Sequence, residues 1–142
     1  AKVATLWYRA PELLLGSAKY TMAVDMWSVG CVFAEVAKGA PFFTGSMELE
    51  QLFQIFSQLG TPTAETWPDF QHMPCAFSFP SWPMQSLKAH FSSLSEQGLD
   101  LLKRIFRYDP TQRITAEQAL RHPYIANVEV PLKEDCGFDG KL

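Results

Sequence analysis

An ionised carboxylate within an apolar helix is costly unless it is paired or accepts several hydrogen bonds, and Asp25 sits in such a stretch, just before Met26, Trp27, Val29, Cys31 and Val32. Two roles suit it: an acceptor that holds neighbouring N–H groups in place, or an exposed first-turn carboxylate favoured by the helix dipole. Glu12 and Arg113 have the right side chains for a bidentate pair, but 101 positions separate them and no spacing rule joins them. Thr5 and Arg9, read alone, are ordinary polar loop residues. His72, His90 and His122 lack metal-ligand spacing, and no Ser/His/Asp grouping stands out for nucleophilic catalysis. Cys31, Cys75 and Cys136 are odd in number, far apart and without a CxxC pair, which suits a reducing, intracellular compartment.

The elements that must carry these groups are helical. Thr21 stands at a helix start, and from Met22 to Lys38 apolar residues fall on almost every side until Gly39 and Pro41, the pattern of a buried helix. Ser46 is a second cap candidate for helix 46–59, in which Leu49, Leu52, Phe53 and Phe56 fall at i, i+3, i+4, i+7 and Leu59 extends the stripe. That helix should be amphipathic and lie at the surface. Residues 61–83 hold Pro62, Pro68, Pro74, Pro80 and Pro83 among Trp67, Phe70, Phe77, Phe79 and Trp82, which excludes long helices and predicts an ordered, irregular loop. Leu99, Leu102, Ile105 and Phe106 mark a third helix stopped at Asp109-Pro110. Thr115 with Gln118 is a capping-box pattern for a short fourth helix closed by Pro123. No strand is predicted, so the fold class is mostly α, with one domain over 1–127 and a tail over 128–142.

The bulk numbers agree with a packed domain. A chain of 142 residues can bury roughly 70% of its unfolded surface. Hydrophobic residues make up 47% and charged residues 19%, which argues against disorder. Net charge is −3 and the 12 basic residues form no run, so no nucleic-acid or anionic-membrane partner is expected. The longest apolar stretch falls well short of the ~20 residues of a membrane span, and no N-terminal signal pattern appears.

One run exceeds anything composition explains. VATLWYRAPELLLG (3–16) resembles the end of the activation segment of a protein kinase, and followed by AVDMWSVGCVFAE (23–35) it is most similar to the cyclin-dependent kinases. GTPTAETWP (60–68), FPSWP (79–83) and YDPTQRITAEQALRHPYI (108–125) keep that family's order and approximate spacing. The resemblance implies the C-terminal, large helical lobe of a protein-kinase fold: activation-segment end 1–16, helical core, and a Pro/aromatic insert over about 60–83. A Gly-rich phosphate loop, an H-R-D catalytic loop and a D-F-G aspartate do not occur in the chain. The expectation is a C-terminal piece that is inactive alone, whose parent transfers the ATP γ-phosphoryl group to Ser/Thr of proteins, with ATP and Mg²⁺ bound by residues outside this chain.

The resemblance also assigns roles. Thr5 supports the catalytic loop, so no residue of this chain is itself catalytic, and Val3, Ala4, Leu6, Trp7 and Arg9 shape the pocket for the residue after the phosphoacceptor. In matching kinases a strained residue, here Ala4 where Val is commoner, turns its carbonyl towards the arginine, and a substrate N–H is left without an acceptor. Proline has no such N–H, hence an expected proline-directed specificity. Glu12 and Arg113 are implied to form a buried clamp on the activation segment, and Asp25 to hold the catalytic loop from behind. Implied partners are protein substrates, a cyclin for the full-length protein, and a small regulatory subunit at helix 46–59 and insert 60–83, in the nucleus or cytoplasm. Two alternatives stay open: another branch of the group such as a mitogen-activated kinase, against which Leu6-Trp7 argues, and a non-catalytic kinase-like binding module.

Overall fold

The structure, a computed structural model, describes residues 6–128. Its regular elements are all helical, with no strand among the described residues. In chain order the helices are α1 (Pro11–Leu14), α2 (Met22–Lys38), α3 (Glu48–Leu59), α4 (Leu87–His90), α5 (Glu96–Ile105), α6 (Ala116–Arg121) and α7 (Pro123–Ala126), with a 3₁₀ turn at Phe70–His72 in the long loop.

The centre is α2 crossing α5. Gly30 makes that crossing close: a Cβ there would come within 2.4 Å of Ile105 Cγ2 and 2.9 Å of a Phe106 ring carbon. Beside it Trp27, fully buried, packs on Phe106 with ring centroids 4.8 Å apart, and Phe43 and Tyr108 stack at 6.3 and 6.4 Å.

The Pro/aromatic loop is ordered by its aromatics and by backbone closure. Trp67 and Phe70 are buried against Phe56 and Tyr108. Thr61 N–H donates to Trp82 O at 3.0 Å, Thr61 Oγ1 to Pro80 O at 2.6 Å, and Gln85 N–H to Gln58 O at 3.0 Å, which brings the loop's ends together. Cys75 N–H donates to Leu15 O at 2.9 Å and ties the loop to the end of α1. The buried Tyr108 hydroxyl donates to Gly60 O at 2.5 Å, and desolvation pushes its pKa up, so it stays a neutral donor.

Local chemistry sets the helix ends where side chains reach. Thr115 and Gln118 form the full reciprocal capping box of α6. His122 caps α7: its Nδ1 accepts from Tyr124 N–H at 3.2 Å, and Pro123, having no N–H to leave unpaired, opens that helix as well as stopping α6.

Three expectations differ from the structure, and a fourth holds in position alone. The helix over Met22–Lys38 is not buried all round: Met22, Val29, Val32 and Val36 are 79%, 50%, 53% and 79% exposed, while Val24, Met26, Trp27, Gly30, Cys31 and Ala34 form the side it buries. Ser46 does not cap α3. Met47 holds the cap position, while Ser46 offers its hydroxyl and N–H to Glu50 and holds that carboxyl below its usual range. Thr21 occupies the cap position of α2 without a side-chain bond. α5 ends at Ile105, before Asp109-Pro110; Asp109 instead accepts from Thr111 N–H at 2.9 Å and shapes the turn that follows.

Candidate functional site

The strip from Leu6 to Glu12 is fastened at nearly every residue. Leu6 is buried, and Arg9 N–H returns to Leu6 O at 3.2 Å in a tight turn. Trp7 donates its indole N–H to Gly45 O at 3.0 Å and accepts at its carbonyl from Gln51 Nε2 at 3.2 Å. Gln51, fully buried on α3, takes the Gly45 N–H on its other amide atom at 2.7 Å, so one side chain bridges strip and loop. Only glycine fits at that bridge, since a Cβ at Gly45 would lie 2.4 Å from Gln51 N.

The next residue bonds to α2. Tyr8 donates its hydroxyl to Glu35 at 2.5 Å, and Ser28 Oγ donates to Tyr8 O at 2.8 Å. The Glu35 carboxylate, by accepting that proton, holds the phenol above its ordinary pKa. Arg9 follows, with Nη1 at 3.2 Å from Glu48 Oε1 and its side chain 32% exposed. Its other donors have no partner among the described residues.

The strip ends in a buried ion pair. Arg113 donates from Nη1 to Glu12 Oε1 at 2.8 Å and from Nη2 to Glu12 Oε2 at 3.0 Å, the side chains 0% and 3% exposed. The same guanidinium donates to Ala23 O at 2.7 Å, Arg107 O at 2.9 Å and Tyr108 O at 3.0 Å, and lies 5.2 Å from the Trp27 ring centre. All five N–H directions lead to acceptors, the condition for holding a charge pair out of water.

Not every candidate joins this group. Val3, Ala4 and Thr5 lie outside the described residues, as does Cys136. Asp25 is exposed in the first turn of α2, accepting from the Tyr20 hydroxyl at 2.7 Å, and its carboxylate raises that phenol's pKa. It does not reach the strip. Cys31 is buried beside the strip, and desolvation drives its thiol pKa far up, so it is no nucleophile.

Tyr8, Ser28, Glu35, Gly45 and Gln51 were missed by reading the sequence. Gln51 alone left a trace, a polar residue at i, i+4 from Ile55 on the face that α3 buries. The arrangement can hold the strip rigid and present Arg9. It cannot move a proton at a reacting atom, because its carboxylates are spent on Arg113, Tyr8 and Arg9. Among the described residues no three His, Cys, Asp or Glu side chains gather as a metal site. A family model for the protein kinase domain matches residues 1–125.

Proposed function

The chain belongs to the protein kinase family, and from that premise we propose that it forms the substrate-facing part of the helical lobe of a cyclin-dependent-kinase-like, proline-directed serine/threonine kinase. ATP and Mg²⁺ are then held by residues other than those described here. The observation that carries this reading is the fastened strip Leu6–Arg9, with Arg9 paired to Glu48 and its other donors without a partner among the described residues. A carbonyl turned to Arg9 no longer accepts the N–H of the residue after the phosphoacceptor. Leaving that donor unsatisfied costs about 1–3 kcal/mol, roughly 5- to 150-fold in kcat/KM, and proline avoids the penalty.

The test uses a longer protein containing this chain together with a nucleotide-binding lobe, and compares kcat/KM for a Ser-Pro and a Ser-Ala peptide. A preference of at least about tenfold for Ser-Pro, narrowed by Arg9→Ala, is expected. Equal values would remove the reading.

A further inference from the structure

The sequence scatters its basic residues, but the fold gathers the arginines. Arg104, Arg107, Arg113 and Arg121, four of the chain's five, line one open cleft of about 500 Å³ between the end of α5 and α6, and no Asp or Glu is among its lining residues. In a chain of net charge −3 that concentration is not a by-product of composition.

The donors are only partly used. Arg104 spends Nε on Asp100 at 2.8 Å, Arg121 spends Nη2 on Glu117 at 2.7 Å, and both pairs are exposed i, i+4 contacts of small worth. Arg107 has no carboxylate partner among the described residues, its one bond being Nη1 to Gln112 O at 3.2 Å. Arg113 is turned inward to Glu12 and forms the cleft's charged floor. Three guanidinium forks with free N–H groups on one concave surface match the tetrahedral, doubly charged oxygens of a phosphate monoester. The cleft is much larger than one phosphate group, and its lining includes Gln112, a side chain suited to peptide N–H and C=O groups.

We propose that this cleft binds a phosphorylated serine or threonine side chain carried on an extended peptide. The cleft shares no lining residue with the Leu6–Arg9 strip, and binding is read without any kinase activity, so it stands or falls separately from the reading above.

The experiment titrates the whole chain into a fluorescein-labelled phosphoserine peptide and its unphosphorylated twin and follows anisotropy, with inorganic phosphate as competitor. Selective binding of the phosphopeptide is expected, weakened by added salt. Arg107→Gln and Arg121→Gln should each lower affinity at least about tenfold, Arg107→Lys should fall between, and Lys38→Gln should change nothing. Circular dichroism checks that the variants fold, and two separate arginine variants keep the test independent of either one's stability. Equal binding of both peptides, indifference to both Gln variants, or inorganic phosphate competing as well as phosphopeptide would each overturn the proposal.

Discussion

Removing one partner of the Glu12–Arg113 pair should be among the most damaging single changes available to this chain, and the two removals should differ. Glu12→Gln keeps the shape and leaves the guanidinium three carbonyl acceptors, Ala23 O, Arg107 O and Tyr108 O, so a buried cation loses its counter-charge and keeps most of its bonds. Arg113→Met strands a carboxylate that is 3% exposed and at the same time orphans those three carbonyls. Breaking a buried pair typically costs about 3–5 kcal/mol. Glu12→Gln belongs at the lower end and Arg113→Met at or above the upper end, against a total stability of about 5–15 kcal/mol for an ordinary domain. With a urea m-value near about 2 kcal/mol/M, a loss of about 4 kcal/mol lowers the midpoint by about 2 M, readily resolved by circular dichroism. The double variant should cost less than the sum of the singles by about 1–3 kcal/mol, because neither charge is then left alone. Additive losses, or single losses under about 1 kcal/mol, would refute the assignment of a tightly coupled buried pair.

The exposed Met22–Val29–Val32–Val36 face of α2 should bind ANS strongly, and Val32→Lys with Val36→Lys should cut that fluorescence at least about twofold; an unchanged signal would place the dye elsewhere. Gly30→Ala should cost about 1–3 kcal/mol through overpacking on Ile105 and Phe106, measured by urea melts, and a neutral substitution would contradict the close α2–α5 crossing. The carboxyl of Asp100 is held below its usual pKa, first by His122 and then by Arg104. Its folded value therefore lies under the unfolded value of about 3.9, so its contribution is present above that pH and lost as the pH falls through the folded value. Asp100→Asn should accordingly melt less steeply with acid than the parent below about pH 4, by a small margin because the side chain is 49% exposed; identical acid profiles would remove the contact from the stability account.

Several features of this chain were legible in its sequence because they depend on neighbours three or four residues away. The Thr115–Gln118 box, the stop and start at Pro123 and the refusal of the proline-rich loop to form long helices are consequences of short-range sterics and side chains reaching their own backbone, whereas α3 buries Gln51, Leu52, Ile55, Phe56 and Leu59 and leaves Leu49 and Phe53 of the expected stripe exposed. The apolar run of α2 announced a helix but not which side would be covered, since coverage depends on what α5 and Phe43 bring to it. The same holds for the site. Spacing says nothing about Glu12 meeting Arg113 across 101 positions; only the resemblance suggested it, and only the packing of α1 against the turn after α5 places all the acceptors around one guanidinium. Gln51 reads as a polar interruption of a stripe until the fold puts Gly45 and Trp7 beside it. The arginines at 104, 107, 113 and 121 look like dispersed surface charge along the chain and become one cleft when α5 turns back into α6. Local order followed from bonds the chain makes with itself at short range, whereas charge pairing, burial of polar groups and shared surfaces were decided by which helices lie side by side.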